Sequence, residues 1–182
     1  MPSSRRQLLH RTAALLALGA SPELYAATPV PAVGTPASEA KALPLPAAGT
    51  PLKLPDVPLL DGSLFRAAQA EGQVLVLYWW ASTCPFCALQ SPEMEKLWRQ
   101  HRSRGLQMLT LSIDKTPAEA LAYLRKTGYT FPAGFVTPEI QRALPKPRGL
   151  PVTLVRGRDG RVLQAERGQM FPEDVEMLAQ WL

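Results

Sequence analysis

Apolar residues run without a break from Val74 to Trp79. A short run that is apolar on both faces predicts a central strand buried from both sides, here over residues 73–79. The period then changes. Residues from Cys84 or Pro85 to about Arg104 read as a helix, interrupted by Pro92 and ended by Gly105. Leu106 to Ile113 predicts a second buried strand. Thr116-Pro117-Ala118-Glu119 is a helix start, with Thr116 as cap, Pro117 in the first turn and Glu119 at the capping-box position. That helix ends at Gly128. Phe131 to Val136 predicts a short strand and Pro138 to Leu144 a short helix. Val152–Arg156 and Val162–Glu166 predict a hairpin across Arg158-Asp159-Gly160. Pro172 to Leu182 closes the chain as a helix anchored by Leu178 and Trp181. Ahead of the central strand, Leu52 to Phe65 predicts a small hairpin turning at Asp61-Gly62. Strands and helices alternate without an internal repeat, which gives an α/β domain over residues 51–182.

The first 27 residues do not share this pattern. A basic start (Arg5, Arg6, Arg11) leads into a short apolar stretch, Ala13 to Ala20, and then small residues around Tyr25-Ala26-Ala27. That order predicts an export signal cleaved near Ala26-Ala27. The stretch is too short to cross a bilayer. Ser4-Arg5-Arg6-Gln7-Leu8-Leu9 resembles the twin-arginine motif of bacterial export signals. Residues 28–50 hold Pro29, Pro31, Pro36, Pro44 and Pro46 among small residues, and read as an extended, poorly ordered spacer. Of the net charge of +5, Arg5, Arg6 and Arg11 against Glu23 place +2 in the signal, leaving +3 after it. So mild a charge gives no case for a nucleic-acid partner.

The candidate chemistry lies where the first strand turns into the first helix. Cys84 and Cys87, the only two cysteines of the chain, stand there as Cys-Pro-Phe-Cys. A helix start exposes unpaired N–H groups and the positive end of the helix dipole, and both favour a thiolate, the reactive form of a thiol. Export implies an oxidising compartment, the periplasm, where such a pair persists as a disulfide. A four-residue ring stabilises little as a structural crosslink. Zinc usually takes four ligands, and His10 and His101 are the only histidines. A cysteine hydrolase would need a histidine base, and His101 falls at the far end of the helix. Cys84, at the cap position with Pro85 behind it, is the expected nucleophile, and Cys87 the resolving thiol. The chemistry requires no cofactor.

Four motifs in order carry a family resemblance: Trp80-Ala81 just ahead of the pair, Pro92 within the helix, Gly149-Leu150-Pro151-Val152-Thr153, and Asp159-Gly160-Arg161-Val162. Over Leu52 to Leu182 the chain resembles the exported thioredoxin-like proteins of the TlpA/ResA/CcmG type. The resemblance implies a thioredoxin-like fold: a central mixed sheet flanked by helices, with an N-terminal hairpin extension. It implies a cis bond before Pro151, which places the backbone of residue 150 where an extended substrate can pair with it. Trp80, Pro85, Phe86, Gly149, Leu150 and Pro151 are then the expected lining of a substrate groove, with Phe86 exposed and Val152 in the core.

The implied partners are exported proteins with thiols or disulfides and a membrane thiol-transfer electron donor, with the protein acting as a monomer. Two departures stand out. Thr83 replaces the second Trp of many thioredoxins. Tyr78 stands where thioredoxin has a buried Asp, which leaves Asp114 as the one candidate aid to proton transfer. The favoured reading is a disulfide reductase or interchange protein, with a DsbA-like oxidant or isomerase as the alternative. The scaffold resembles reductases, whereas Pro85 between the cysteines resembles the oxidant DsbA in its first position. A copper-handling binding module is the reading from a different class, since two thiolates suit Cu(I).

Overall fold

The computed structural model describes residues 43–182. The expected export signal and all but the end of the expected spacer lie outside the described residues.

Five strands form the central sheet, in the order β5-β4-β3-β6-β7. β3 (Val74–Trp80) is fully buried along its length and sits in the middle. β4 (Leu106–Ser112) and β5 (Ala133–Phe135) extend the sheet in parallel on one side. β6 (Val152–Arg156) and β7 (Val162–Arg167) extend it antiparallel on the other. This is the mixed sheet that the resemblance implied. β3 is apolar on both faces because both are covered. Val74, Val76, Tyr78 and Trp80 pack with Cys87, Met94 and Leu97 of α1 (Pro85–His101), Ala120 and Leu124 of α2 (Pro117–Thr127), and Val175 of α4 (Pro172–Met177). Leu75, Leu77 and Trp79 pack on the other face with Val57, Phe65, Leu154 and Ile140 of α3 (Pro138–Ala143).

The helix starts follow their caps. Thr116 accepts from the Glu119 amide while the Glu119 carboxylate reaches back to the Thr116 amide, a full capping box. α1 runs through the exposed Pro92, which gives no amide to the carbonyl four residues back. His101 is its last residue.

Three expectations are corrected. The N-terminal hairpin is far shorter than residues 52–65, with β1 (Val57–Pro58) pairing only β2 (Leu64–Phe65). The chain before it runs to the β6–β7 turn instead, where Leu52 donates to the Gly160 carbonyl. β1 then lies against β5 so closely that a Cβ on Gly134 would come within 2.5 Å of Val57 Cγ1. Second, residues 43–50 are attached to the domain and are not spacer. Arg148 N–H donates to the Leu43 carbonyl, and Gly49 N–H to the Val162 carbonyl. Proline density predicts an open chain, but these backbone groups find partners on the domain surface. Third, the closing helix is α-helical only through Met177, and Leu178–Trp181 tighten into a 3-10 turn. Leu178 is still a core residue and Trp181 still packs on the core.

Candidate active site

Cys84 caps α1 with extended backbone, and Pro85 follows in the first turn. The two cysteines form a disulfide with their Cα atoms 5.2 Å apart. Cys87 is buried at 1% exposure and Cys84 is half-buried. The Cys87 amide donates to Cys84 Sγ at 3.1 Å, so an unpaired donor of the helix start already points at that sulfur. Pro85 and Phe86 face outward, with Phe86 56% exposed. Leu89, one turn on, is also exposed.

The loop ahead of Cys84 is tied down by Asp114. Its Oδ1 accepts from the Ser82 amide at 2.9 Å and the Ser82 hydroxyl at 2.7 Å. Its Oδ2 accepts from the Ser112 hydroxyl at 2.7 Å. Asp114 is buried at the end of β4, and its carboxylate is engaged by three donors.

Beneath the pair lies Tyr78. Its hydroxyl contacts the Cys87 carbonyl at 3.3 Å and the Ser91 hydroxyl at 3.1 Å. Burial pushes this phenol well above its ordinary value, so it stays neutral and acts as a donor. Tyr123 and Tyr129 stand beside it, edge to face at 6.1 Å between centroids. Burial raises both phenols, Tyr129 to about 12.

The Leu150–Pro151 bond is cis. Pro151 is buried, whereas Gly149 and Leu150 are half-buried. Val152 is in the core. Among the described residues, neither backbone polar group of Leu150 takes a hydrogen bond. The segment enters β6 at Val152, which pairs with Trp79 at the end of β3 next to the cysteine turn. The pair and the Leu150 backbone therefore share one end of the central strands.

Trp80 does not line a groove. It is fully buried, its ring 5.4 Å from Tyr123 and 6.5 Å from Phe131, and its Nε1 donates to Thr110 Oγ1. Its place in β3 turns it toward the α1 and α2 side, and that face is closed.

Several supporting residues went unread in the sequence. Gln90 is fully buried; its Nε2 donates to Thr153 Oγ1 and its Oε1 accepts from the Met170 amide, joining α1 to β6 and to the approach of α4. Ser82 and Ser91 were missed as well. A glutamine or serine on a helix or loop carries no periodic mark, and only the fold brings its partners to it.

The chain is similar to known thiol–disulfide proteins. ResA, a thiol-disulfide oxidoreductase of Geobacillus kaustophilus, is 25% identical over 124 residues, 67% of this chain and 71% of that protein. ResA of Halalkalibacterium halodurans is 23% identical over 121 residues, 64% of this chain and 66% of that one. The chain thus spans about two thirds of the length of these relatives. A thiol:disulfide interchange protein of the thioredoxin family from Chlorobium tepidum superposes with a TM-score of 0.67 at 23% identity, covering 74% of this chain and 97% of that one. A secreted disulfide oxidoreductase of Mycobacterium tuberculosis superposes with a TM-score of 0.62 at 17% identity, covering 70% and 95%. These two likenesses are of fold. The sequence model of the AhpC/TSA family matches residues 48–144, more than half of the chain and including both cysteines, and the chain belongs to that family.

Proposed function

We propose that this thiol–disulfide oxidoreductase works as an exported, periplasmic reductase of protein disulfides. One observation carries the reading: a disulfide-forming pair at a helix start, with the first sulfur half-exposed and aimed at by a backbone amide, and the second buried. The named activity of the ResA relatives supports it.

In the reduced protein Cys84 attacks as the thiolate. Its sulfur bonds to one substrate sulfur, the substrate S–S bond breaks, and the other substrate sulfur leaves as a thiolate that takes a proton from solvent. Cys87 then gives up its proton and attacks Cys84 Sγ. The second substrate sulfur leaves and is protonated in turn. The substrate gains two electrons and two protons, and the protein closes its disulfide. A thiol-transfer protein at the membrane restores the dithiol by the same exchange in reverse. Tyr78, neutral and bonded to the Cys87 carbonyl, positions the resolving turn. The open backbone of Leu150 supports pairing with an extended substrate segment beside the cysteines.

The assignment of roles is tested by trapping. Cys87→Ser should accumulate mixed disulfides through Cys84 with disulfide-bearing exported proteins, visible on non-reducing gels and lost on reduction. Trapping by the Cys84→Ser protein instead would reverse the roles.

A further inference from the structure

Gly149, next to the open Leu150 backbone, is bracketed by two cationic side chains. Lys146 donates from Nζ to the carbonyls of Pro147 and Gly149, each at 2.7 Å. On the other side lies the stem of Arg167. A Cβ on Gly149 would meet Arg167 Cγ and Cδ at 3.1 Å, and the residue holds φ +88°. A side chain is thus disfavoured there twice, and its absence leaves room for Arg167 to lie over the segment.

Arg167 is the last residue of β7 and pairs with Val152, the first of β6. It is exposed. Among the described residues it forms no hydrogen bond and no ion pair. Glu166, its neighbour, projects to the opposite face of the strand, where it accepts from Gln164. A guanidinium without a counter-ion stands beside a backbone edge without a partner.

We infer that Arg167 makes the protein prefer substrates that carry an acidic residue within two positions of the reactive cysteine. This rests on the reading that substrate lies extended along Leu150. A carboxylate on such a segment would meet the Arg167 fork, which suits bidentate pairing. The pair is partly solvated, so the expected discrimination is about five-fold at low salt and fades as the Debye length shortens.

The test uses three short peptides, each with one internal disulfide, identical except for Glu, Gln or Lys beside the cysteines. The rate of their reduction by the reduced full-length protein is read for wild type, Arg167→Gln and Arg167→Glu, at low and high salt. Neighbouring charge also alters the reactivity of the peptide itself, so the informative quantity is the change of the Glu-to-Lys rate ratio between variants. The ratio should favour Glu in wild type, move toward one in Arg167→Gln, and invert in Arg167→Glu. An unchanged ratio across the three proteins, with all peptides reduced, would overturn the inference alone. Failure of wild type to reduce any of the peptides would overturn the exchange reading beneath it and the inference with it.

Discussion

Asp114 marks the difference between a group that moves a proton and one that holds a loop. With three donors on its two oxygens, it fits the second role. Asp114→Asn removes at least one of those acceptances and leaves a buried donor short. The expected cost is about 1–3 kcal/mol, read as a lower urea midpoint. The exchange rate should fall because Ser82, two residues ahead of Cys84, is no longer fixed, but its pH profile should keep its shape. A displaced pH profile at unchanged stability would restore Asp114 as a proton carrier. At this scale the cysteines were legible from spacing and from the position of a helix start. Trp80 was not. A strand apolar on both faces gives each residue the same sign, so periodicity cannot say which ring is sealed in and which faces a groove. The Arg167 over Gly149 was equally hidden, because it joins residues that only the β6–β7 pairing brings together.

At the scale of elements, α1 is fastened by Glu95 as well as by its cap. The carboxylate accepts from the Thr130 amide and hydroxyl and the Phe131 amide, and pairs with Arg99 on its own helix. Burial alone would raise its pKa, but these bonds outweigh it and hold the carboxyl below its ordinary 4.5. A depressed carboxylate contributes stability that is fully present above the unfolded value and is lost as pH falls through the folded one. The urea midpoint should therefore drop on acidification from about pH 4.5 downward. Glu95→Gln should lower it at pH 7 and flatten that acid slope. Parallel curves for the two proteins would remove Glu95 from the account. Nothing in the sequence marks Glu95, since its partners lie beyond the next strand. Sequence reading did place the helix starts at Thr116, Pro138 and Pro172, because caps and first-turn prolines act locally. The extent of the N-terminal hairpin escaped it. Whether residues 52–56 pair with Phe65 or with the β6–β7 turn is decided by tertiary contact and not by alternation.

Across the whole molecule, the order of strands along the chain, the cysteine turn and the cis segment ahead of β6 were legible because four motifs fix their sequence order. What sequence leaves open is the direction of electron flow. The fold admits both, since thiolate stability tunes the potential over a range of roughly 150 mV. Under the proposed function the protein delivers electrons to exported disulfides and is itself kept reduced by a thiol donor. The measurement that tests this most directly is the equilibrium reduction potential of the Cys84–Cys87 pair against glutathione or dithiothreitol. A value of about −270 mV or lower, in the range of thioredoxin, is the expected result. A value of about −120 mV, in the range of DsbA, would make the protein an oxidant on a reductase-like scaffold and contradict the account.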